Sequence, residues 1–348
     1  MTIELTATNA SEIAAALLEE RRRAGSPAMG LVLTFVVVTD ERDHYDSLKV
    51  ARTVSREHPS RILLVIRRSA RTTANLDAEL SIGGSGESVL LRTSGELAKH
   101  AESAVLPLLL PDSPVVVWWP GRPPDDPAGT ALGQLAQRRI TDSAAPARSR
   151  PEAMLTQARN YAPGNTDLAW TRLTPWRALL AAALDQYTAR VHSAEVEGER
   201  GNPSADLLAA WLANRLHVPV GQKTSRGPGL TSVVMQTGGG PVQVYRPDGK
   251  LAQLRTPNAP DRPVALHRRD LAELLAEELR RLDPDEAYAE AVRHLARMAD
   301  GGQEAEPAGQ ASTSSDSRRS SRSSRAGGRK PAARGSGTGS KRPPRKRT

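Results

Sequence analysis

Hydrophobic residues recur along this chain with two periods, and the alternation of these periods predicts an α/β protein. Residues 31–40 and 61–68 are continuous runs rich in Val, Ile and Leu, which is typical of strands buried on both faces. Residues 43–59, between the two runs, have helical spacing. The predicted apolar stripe of this helix consists of Tyr45, Leu48, Ala51 and Val54. Because the connections are short, the order strand, helix, strand predicts a right-handed parallel unit.

The rest of the first half predicts more strands beside this unit. Residues 76–95 read as two strands around a Gly- and Ser-rich turn at 83–86, which favours a hairpin. A helix and two further strands are expected at 95–110, 113–121 and 138–142. We therefore predict an N-terminal α/β sandwich with a mixed sheet, spanning residues 1–145.

The second half predicts an α+β domain with a β-meander and C-terminal helices, spanning residues 146–302. Two helices are expected to begin with an N-cap residue followed by a first-turn proline, at Thr174 and at Asn202. A strand is expected at 189–199, and the meander strands are expected at 230–236, 241–246 and 250–255. Two capping boxes predict the last helices, namely Asp270 with Glu273 and Asp283 with Glu286.

The excess positive charge of the chain is confined to its C-terminal end. The net charge is +9, and residues 303–348 contain 12 Lys and Arg against three acidic residues, so this tail accounts for 12 − 3 = +9. The tail is Ser-, Arg-, Lys- and Gly-rich with no large apolar residue, and we predict that it is disordered. It can attract polyanions nonspecifically, but it lacks the aromatic residues that stack on bases. We therefore expect no specific nucleic-acid partner.

The composition also indicates the cellular compartment of the protein. The absence of cysteine excludes disulfides and Cys-ligated zinc, which favours a reducing compartment. The N-terminal segment has acidic residues where a signal peptide has basic ones, and no apolar run approaches the length of a membrane span. We expect a cytoplasmic protein without a membrane partner.

No recognised catalytic or cofactor motif is present. The seven histidines form no pair four residues apart, and the sequence contains neither a P-loop nor a nucleophile elbow. The segment GGSGES at 83–88 joins two predicted strands, whereas a dinucleotide fingerprint joins a strand to a helix. We therefore predict no catalytic residues, no metal site and no cofactor.

The tryptophans are the remaining unusual feature. Trp118 and Trp119 are consecutive in a predicted strand and should point to opposite faces of the sheet. Trp176 begins a helical stripe and is expected in the core. Trp170 precedes that helix in an expected irregular turn beside Arg172, near the predicted domain junction. Trp and Arg without catalytic partners favour a protein–protein contact at this point.

Two of these segments carry a family resemblance. DSPVVVWWPGRPP at 112–124 and DLAWTRLTPWRALLA at 167–181 together resemble the glucose-6-phosphate dehydrogenase assembly proteins of the OpcA family, over roughly residues 1–300. The resemblance implies a non-catalytic assembly factor or allosteric activator of that dehydrogenase, which supports the oxidative pentose phosphate pathway and NADPH supply. The predicted partner-binding residues are Trp118, Trp119, Asp167, Trp170, Arg172 and Arg177.

An enzyme remains the alternative. The parallel unit at 31–68 is of the kind that binds ligands at the carboxyl ends of its strands, so a nucleotide- or sugar-phosphate-binding α/β enzyme is the second interpretation. A nucleic-acid-binding protein would rest on the basic tail alone.

Overall fold

The two runs rich in Val, Ile and Leu lie side by side in the middle of an eight-stranded mixed sheet in the computed structural model. The structure describes residues 2–24, 30–83, 86–145, 152–187 and 189–301. The strands of this first sheet are β1 (Thr2–Leu5), β2 (Leu33–Thr39), β3 (Ser60–Arg67), β4 (Asn75–Gly83), β5 (Gly86–Ser94), β6 (Val115–Trp118), β7 (Arg138–Thr141) and β8 (Asn165–Asp167). Their order is β1-β4-β5-β3-β2-β6-β7-β8. The pairs from β5 to β8 are parallel, whereas β4 pairs antiparallel with β1 and β5.

Helices cover this sheet and build the second half of the chain. They are α1 (Ala10–Ala24), α2 (His44–Val54), α3 (Glu102–Val105), α4 (Ala131–Gln134), α5 (Ala153–Arg159), α6 (Leu168–Thr171), α7 (Thr174–Gln186), α8 (Pro203–Leu216), α9 (Leu271–Arg280) and α10 (Glu286–Ala299). One face of the first sheet packs on α1 and the segment around α3, and the other packs on α2 and α9. The α/β sandwich is therefore confirmed.

The consecutive tryptophans of β6 enter different layers, as the period of a strand requires. Trp118 packs in the core on the side of α2 and α9, and its ring stacks on Phe35 with a centroid distance of 6.0 Å. Trp119 packs in the opposite core with Ile13 and Leu17 of α1. Both indoles are buried, which fits a sheet covered on both faces.

The second sheet contains the predicted meander, extended by two strands at one end and by one strand at the other. Its strands are β9 (Val191–Glu199), β10 (Val220–Ser225), β11 (Leu230–Thr237), β12 (Gly240–Tyr245), β13 (Leu251–Arg255) and β14 (Arg262–Ala265). The order is β10-β9-β11-β12-β13-β14, with β10 and β9 parallel and the other neighbours antiparallel. Helix α8 connects the parallel pair. The buried side chains of α7, α8 and α10 pack with those of this sheet.

Two local expectations in the first half are wrong. Tyr45 is 72% exposed because the buried face of α2 is centred on His44, Leu48 and Ala51, about a quarter of a turn away. The helix expected within 95–110 is broken into two 3-10 turns, Gly95–Ala98 and Leu106–Leu108, on either side of α3. Pro107 has no N–H group to donate to an α-helical hydrogen bond, which explains why α3 does not continue beyond Val105.

Two expected N-cap residues are also wrong. Helix α7 begins at Thr174, whose hydroxyl donates to Glu277 rather than capping the helix, and the N-cap is Leu173. Helix α10 starts at Glu286 because Asp285, not Asp283, is its N-cap and accepts from the backbone amide of Tyr288. The caps predicted at Asn202 and at Asp270 with Glu273 are confirmed.

Two elements from beyond residue 145 join the first sheet. Strand β8 pairs with β7, and the apolar face of α9 packs against the same core as β2 and β6. The core between the first sheet and helices α2 and α9 thus contains residues from both predicted domains. The division into residues 1–145 and 146–302 stays a prediction. Residues 2–301 belong to one compact unit.

The predicted disorder of residues 303–348 lies outside the described residues. Within the described residues, no helix is both long enough and apolar enough to cross a membrane.

Candidate functional site

The junction segment, residues 165–186, runs from edge strand β8 of the first sheet to helix α7, which packs on the second sheet. It contains a fully buried carboxylate, that of Asp167. Asp167 accepts hydrogen bonds from the hydroxyl of Thr141 (2.6 Å), the amide and hydroxyl of Ser143 (3.0 and 2.7 Å) and the amide of Ala169 (2.9 Å). Burial raises the pKa of Asp167, the charge of Asp142 adds to this effect, and the donors from Thr141 and Ser143 oppose it. This carboxylate caps α6 and fixes it to the end of β7.

Trp170 lies in the short helix α6 rather than in an irregular turn, and it is 1% exposed. Its indole Nε1 donates to Oδ2 of Asp285 at 2.8 Å. The guanidinium of Arg177 lies over its ring, 3.8 Å from the centroid, and the ring of Tyr288 packs at 5.8 Å. Trp170 therefore holds α6, α7 and α10 together through polar, cation–π and aromatic contacts.

Arg172 forms an ion pair with an acidic residue of its own chain, Asp142. Its guanidinium donates to both carboxylate oxygens of Asp142, at 2.7 and 2.8 Å, in a two-pronged ion pair. The Arg172 side chain is 29% exposed and that of Asp142 is 5% exposed. Arg177 is half-buried, and burial lowers its pKa. Arg172 and Arg177 are thus the two predicted partner-binding residues of this segment with solvent-accessible surface.

The six predicted partner-binding residues lie in two separate parts of the fold. Asp167, Trp170, Arg172 and Arg177 lie in the junction segment, while Trp118 and Trp119 lie inside the first sheet. Contact of any of the six with a partner stays a prediction.

Helix α9 fastens the junction segment to the first sheet. Glu278 on α9 accepts from Arg138 of β7 and from the hydroxyl of Thr171. Both members of the Arg138–Glu278 pair are nearly buried, with side chains 5% and 6% exposed. Sequence reasoning missed Glu278, because nothing in the sequence relates a glutamate of an amphipathic helix to a strand 140 residues earlier.

A basic cavity opens beside the junction segment, at the N-terminus of α8. Its volume is about 570 Å³. Five arginines line it, namely Arg172, Arg200, Arg246, Arg268 and Arg269. Trp176 forms part of the wall, and Glu199 is its acidic lining residue. Sequence reasoning missed this cavity, although the run His267–Arg268–Arg269 was a visible local signal.

A second cavity, of about 690 Å³, lies at the carboxyl ends of β2, β3 and β6. Its charged lining residues are two acidic ones, Asp40 and Asp125, and four basic ones, Arg67, Arg68, Lys99 and Arg122. The turn from β2 to α2 next to this cavity is acidic and contains no glycine, and Asp40 accepts from the amides of Arg42 and Asp43. Such a turn repels a phosphate, whereas a dinucleotide-binding turn attracts one.

Among the described residues, no group of His, Asp and Glu side chains could hold a metal ion.

Two models of one protein family match the chain. The N-terminal domain of a glucose-6-phosphate dehydrogenase subunit matches residues 51–160, and the C-terminal domain of that subunit matches residues 163–292. A protein of Synechococcus elongatus named OxPP cycle protein OpcA is 34% identical over 142 residues, which cover 37% of this chain and 31% of the relative. A protein of the same name from Synechocystis sp. is 29% identical over 140 residues, covering 37% of this chain and 29% of the relative.

The match thus spans less than a third of the length of either relative. Among solved structures, an oxidoreductase from Sinorhizobium meliloti aligns with a TM-score of 0.38 and 10% identity, over 78% of this chain and 89% of that one. This weak likeness supports no statement about the chain.

The two domain matches define a protein of the class that contains the N- and C-terminal domains of a glucose-6-phosphate dehydrogenase subunit. The chain belongs to the OpcA family, and the resemblance drawn from its two motifs is confirmed.

Proposed function

We propose that this chain is a non-catalytic assembly factor and allosteric activator of glucose-6-phosphate dehydrogenase. The observation that carries the proposal is the match of both domain models of a dehydrogenase subunit, in order, over residues 51–160 and 163–292. In this role the chain would support NADPH supply by binding the dehydrogenase, with the chemistry left to that enzyme.

The use of polar groups in the junction segment supports a structural role rather than a catalytic one. A general acid or base has to reach a substrate atom at hydrogen-bond distance. Asp167 has its oxygens occupied by donors from Thr141, Ser143 and Ala169 and is fully buried. Trp170 likewise spends its one polar atom on Asp285. These groups hold α6 and its neighbours in one arrangement, so the chain would offer a preformed surface to the dehydrogenase.

Within the predicted partner-binding set, the exposed parts of Arg172 and Arg177 are the most suitable for a direct contact. Arginine is enriched among the residues that dominate protein interfaces. The four buried members, Trp118, Trp119, Asp167 and Trp170, would act by supporting the surface that contains these arginines.

The alternative is a nucleotide- or sugar-phosphate-binding α/β enzyme, and the cavity at the carboxyl ends of β2, β3 and β6 favours it. Its volume of about 690 Å³ would accept such a ligand. The acidic turn that contains Asp40 and Glu41 weighs against phosphate recognition there. We therefore place the enzyme second.

The test combines activity with binding. We expect the chain alone to reduce no nicotinamide cofactor with glucose 6-phosphate. Added to the dehydrogenase, it should raise the activity or lower the substrate concentration needed for half-maximal rate. If it favours one state of the dehydrogenase, linkage requires that substrate tighten the protein complex by the same factor, typically about 5- to 150-fold.

Two results would contradict the proposal. Turnover by the chain alone would support the enzyme, and the absence of both complex formation and activation would remove the dehydrogenase as partner. Arg177→Gln tests the contact, with Arg281→Gln as the matched control, because Arg281 is an exposed arginine at the C-terminal end of α9.

A further inference from the structure

The basic cavity beside the junction segment contains more positive charge than its surroundings neutralise. Arg172 is paired with Asp142, and Arg269 is paired with Glu277. Among the described residues, no carboxylate lies within ion-pairing distance of the other three lining arginines, Arg200, Arg246 and Arg268. The acidic lining residue, Glu199, is exposed and accepts from the amide of Gly229. Three cations therefore face one concave space without anionic partners.

Arg246 is the most informative of the three, because it is only 5% exposed. Its guanidinium donates to the carbonyl oxygens of Leu266 (2.7 Å) and Leu230 (3.0 Å) and lies 4.9 Å from the ring centroid of Trp176. Its Nε is buried and makes no hydrogen bond among the described residues. Burial lowers the pKa of Arg246 to about 10, the positive charge of Arg268 adds to this effect, and the more distant carboxylate of Asp248 opposes it.

A buried cation without an ion pair is costly, and buried charges in proteins are normally paired. Neutral carbonyl oxygens and an aromatic face position Arg246, but its charge has no carboxylate in direct contact, and Asp248 acts on it only from a distance. An anion in the cavity would compensate it and would relieve the repulsion from Arg268. A guanidinium has five donor hydrogens, and the two carbonyls occupy two of those on Arg246.

We propose that this cavity is a binding site for a small phosphorylated metabolite, whose phosphate group is held by Arg200, Arg246 and Arg268. A phosphate ester dianion offers three acceptor oxygens in a tetrahedral arrangement, and arginine is well suited to donate to them in pairs. The volume of about 570 Å³ lies within the range of small-molecule sites, and the concave shape favours a small ligand over a protein surface.

The helix beside the cavity contributes its dipole rather than its amides. Pro203, the first residue of α8, has no N–H group, and the amide of Ser204 already donates to Asn202 at 3.0 Å. The positive end of the helix still favours an anion there. Recognition consequently depends on the arginine side chains, which makes the site testable by single substitutions.

The experiment is a calorimetric titration of the full chain, without any dehydrogenase. The ligands are glucose 6-phosphate, inorganic phosphate, glucose and hexaglutamate. We expect glucose 6-phosphate to bind, inorganic phosphate to bind more weakly, and glucose not to bind. Arg200→Gln and Arg268→Gln should each weaken binding of glucose 6-phosphate about tenfold, which corresponds to the loss of one charge-assisted hydrogen bond.

Arg281→Gln is the matched control and should leave the affinity unchanged. It removes the same charge at the far end of α9, and the basic tail is present in every variant, so a nonspecific contribution from the tail cancels. Arg246→Met should abolish binding. If that variant does not fold, Arg200→Gln and Arg268→Gln decide, because both arginines are exposed.

Three outcomes would overturn the inference. They are no binding of glucose 6-phosphate, equal weakening by Arg281→Gln and Arg268→Gln, and binding of hexaglutamate alone with the same dependence on the three arginines. The last outcome would make the cavity a contact for an acidic protein segment. Because no dehydrogenase is present, failure of this site would leave the proposed function untouched.

Discussion

The indole Nε1 of Trp170 donates to Oδ2 of Asp285 at 2.8 Å, while Oδ1 of the same carboxylate accepts from the amide of Tyr288 at 2.9 Å. One side chain thus begins the last helix, α10, and holds the junction segment. The two residues are 115 positions apart in the chain. The position of α6 and the start of α10 are therefore coupled.

This coupling predicts a non-additive pair of substitutions. Trp170→Phe keeps an aromatic ring but removes the donor, and Asp285→Ala removes both the acceptor and the helix cap. Each should lower the free energy of unfolding by about 1–3 kcal/mol, and the double variant should cost less than the sum. Urea unfolding of the four proteins measures the coupling. Thr130→Ala, which removes the cap of α4, should add to Trp170→Phe without coupling.

Truncation of the tryptophans should destabilise the fold at both positions. Trp170 and Trp176 are each 1% exposed, so Trp170→Ala and Trp176→Ala should each cost about 3–5 kcal/mol. Thermal unfolding of both variants is the measurement. A Trp170→Ala variant that melts within a few degrees of the native chain but no longer binds the dehydrogenase would show that this indole contacts the partner directly.

The ion pairs made by α9 should differ greatly in strength according to their burial. Glu278→Ala leaves the buried Arg138 without its carboxylate partner, and we expect a loss of about 3–5 kcal/mol. Glu57→Ala breaks the pair with Arg280 on the same helix, whose members are more than 60% exposed, and should cost under about 1 kcal/mol. Chemical denaturation of the two variants measures the loss of unfolding free energy in each. Equal losses would mean that burial does not decide the strength of these pairs.

The end of β2 should contribute to acid sensitivity through Glu41. A hydrogen bond from Arg68 lowers the pKa of Glu41 below 4.5, burial opposes this, and the charges of Arg68 and Arg92 add to the lowering. As pH falls, the unfolded chain takes up this proton first, so the stabilisation present above about pH 4.5 is lost below it. Glu41→Gln should flatten the decline in stability between about pH 5 and 3, by under about 1 kcal/mol because the group is half-exposed.

The same pH series on Glu4→Gln provides the control, since Glu4 is exposed and has no ion pair among the described residues. A decline that is unchanged in Glu41→Gln would assign the acid sensitivity to other carboxylates.

The basic tail should be dispensable for the folded unit. Deletion of residues 303–348 removes the +9 net charge of the chain, while the compact unit that contains residues 2–301 is retained. We expect an unchanged unfolding midpoint and the loss of salt-dependent binding to a polyanion such as heparin. Loss of dehydrogenase activation on truncation would instead make the tail a docking arm.

The sequence by itself determined the elements whose signals are local. Continuous runs of Val, Ile and Leu predicted strands β2 and β3, because strands buried on both faces do not alternate apolar with polar residues. The opposite placement of Trp118 and Trp119 followed from the period of a strand alone. The cap at Asn202 was likewise readable, since its hydrogen bond reaches only two residues ahead.

Only the tertiary structure decided which residues pair in the junction segment and which arginines line the basic cavity. Arg172 read as a free interface residue until Asp142, 30 positions earlier, proved to be its partner. Arg200, Arg246 and Arg268 come from three separate loops and strand ends, and each alone resembles an ordinary surface arginine. Their convergence depends on how β9, β12 and the start of α9 are brought together. Contacts between distant segments depend on the path of the whole chain, and no local pattern of charge or hydrophobicity records that path.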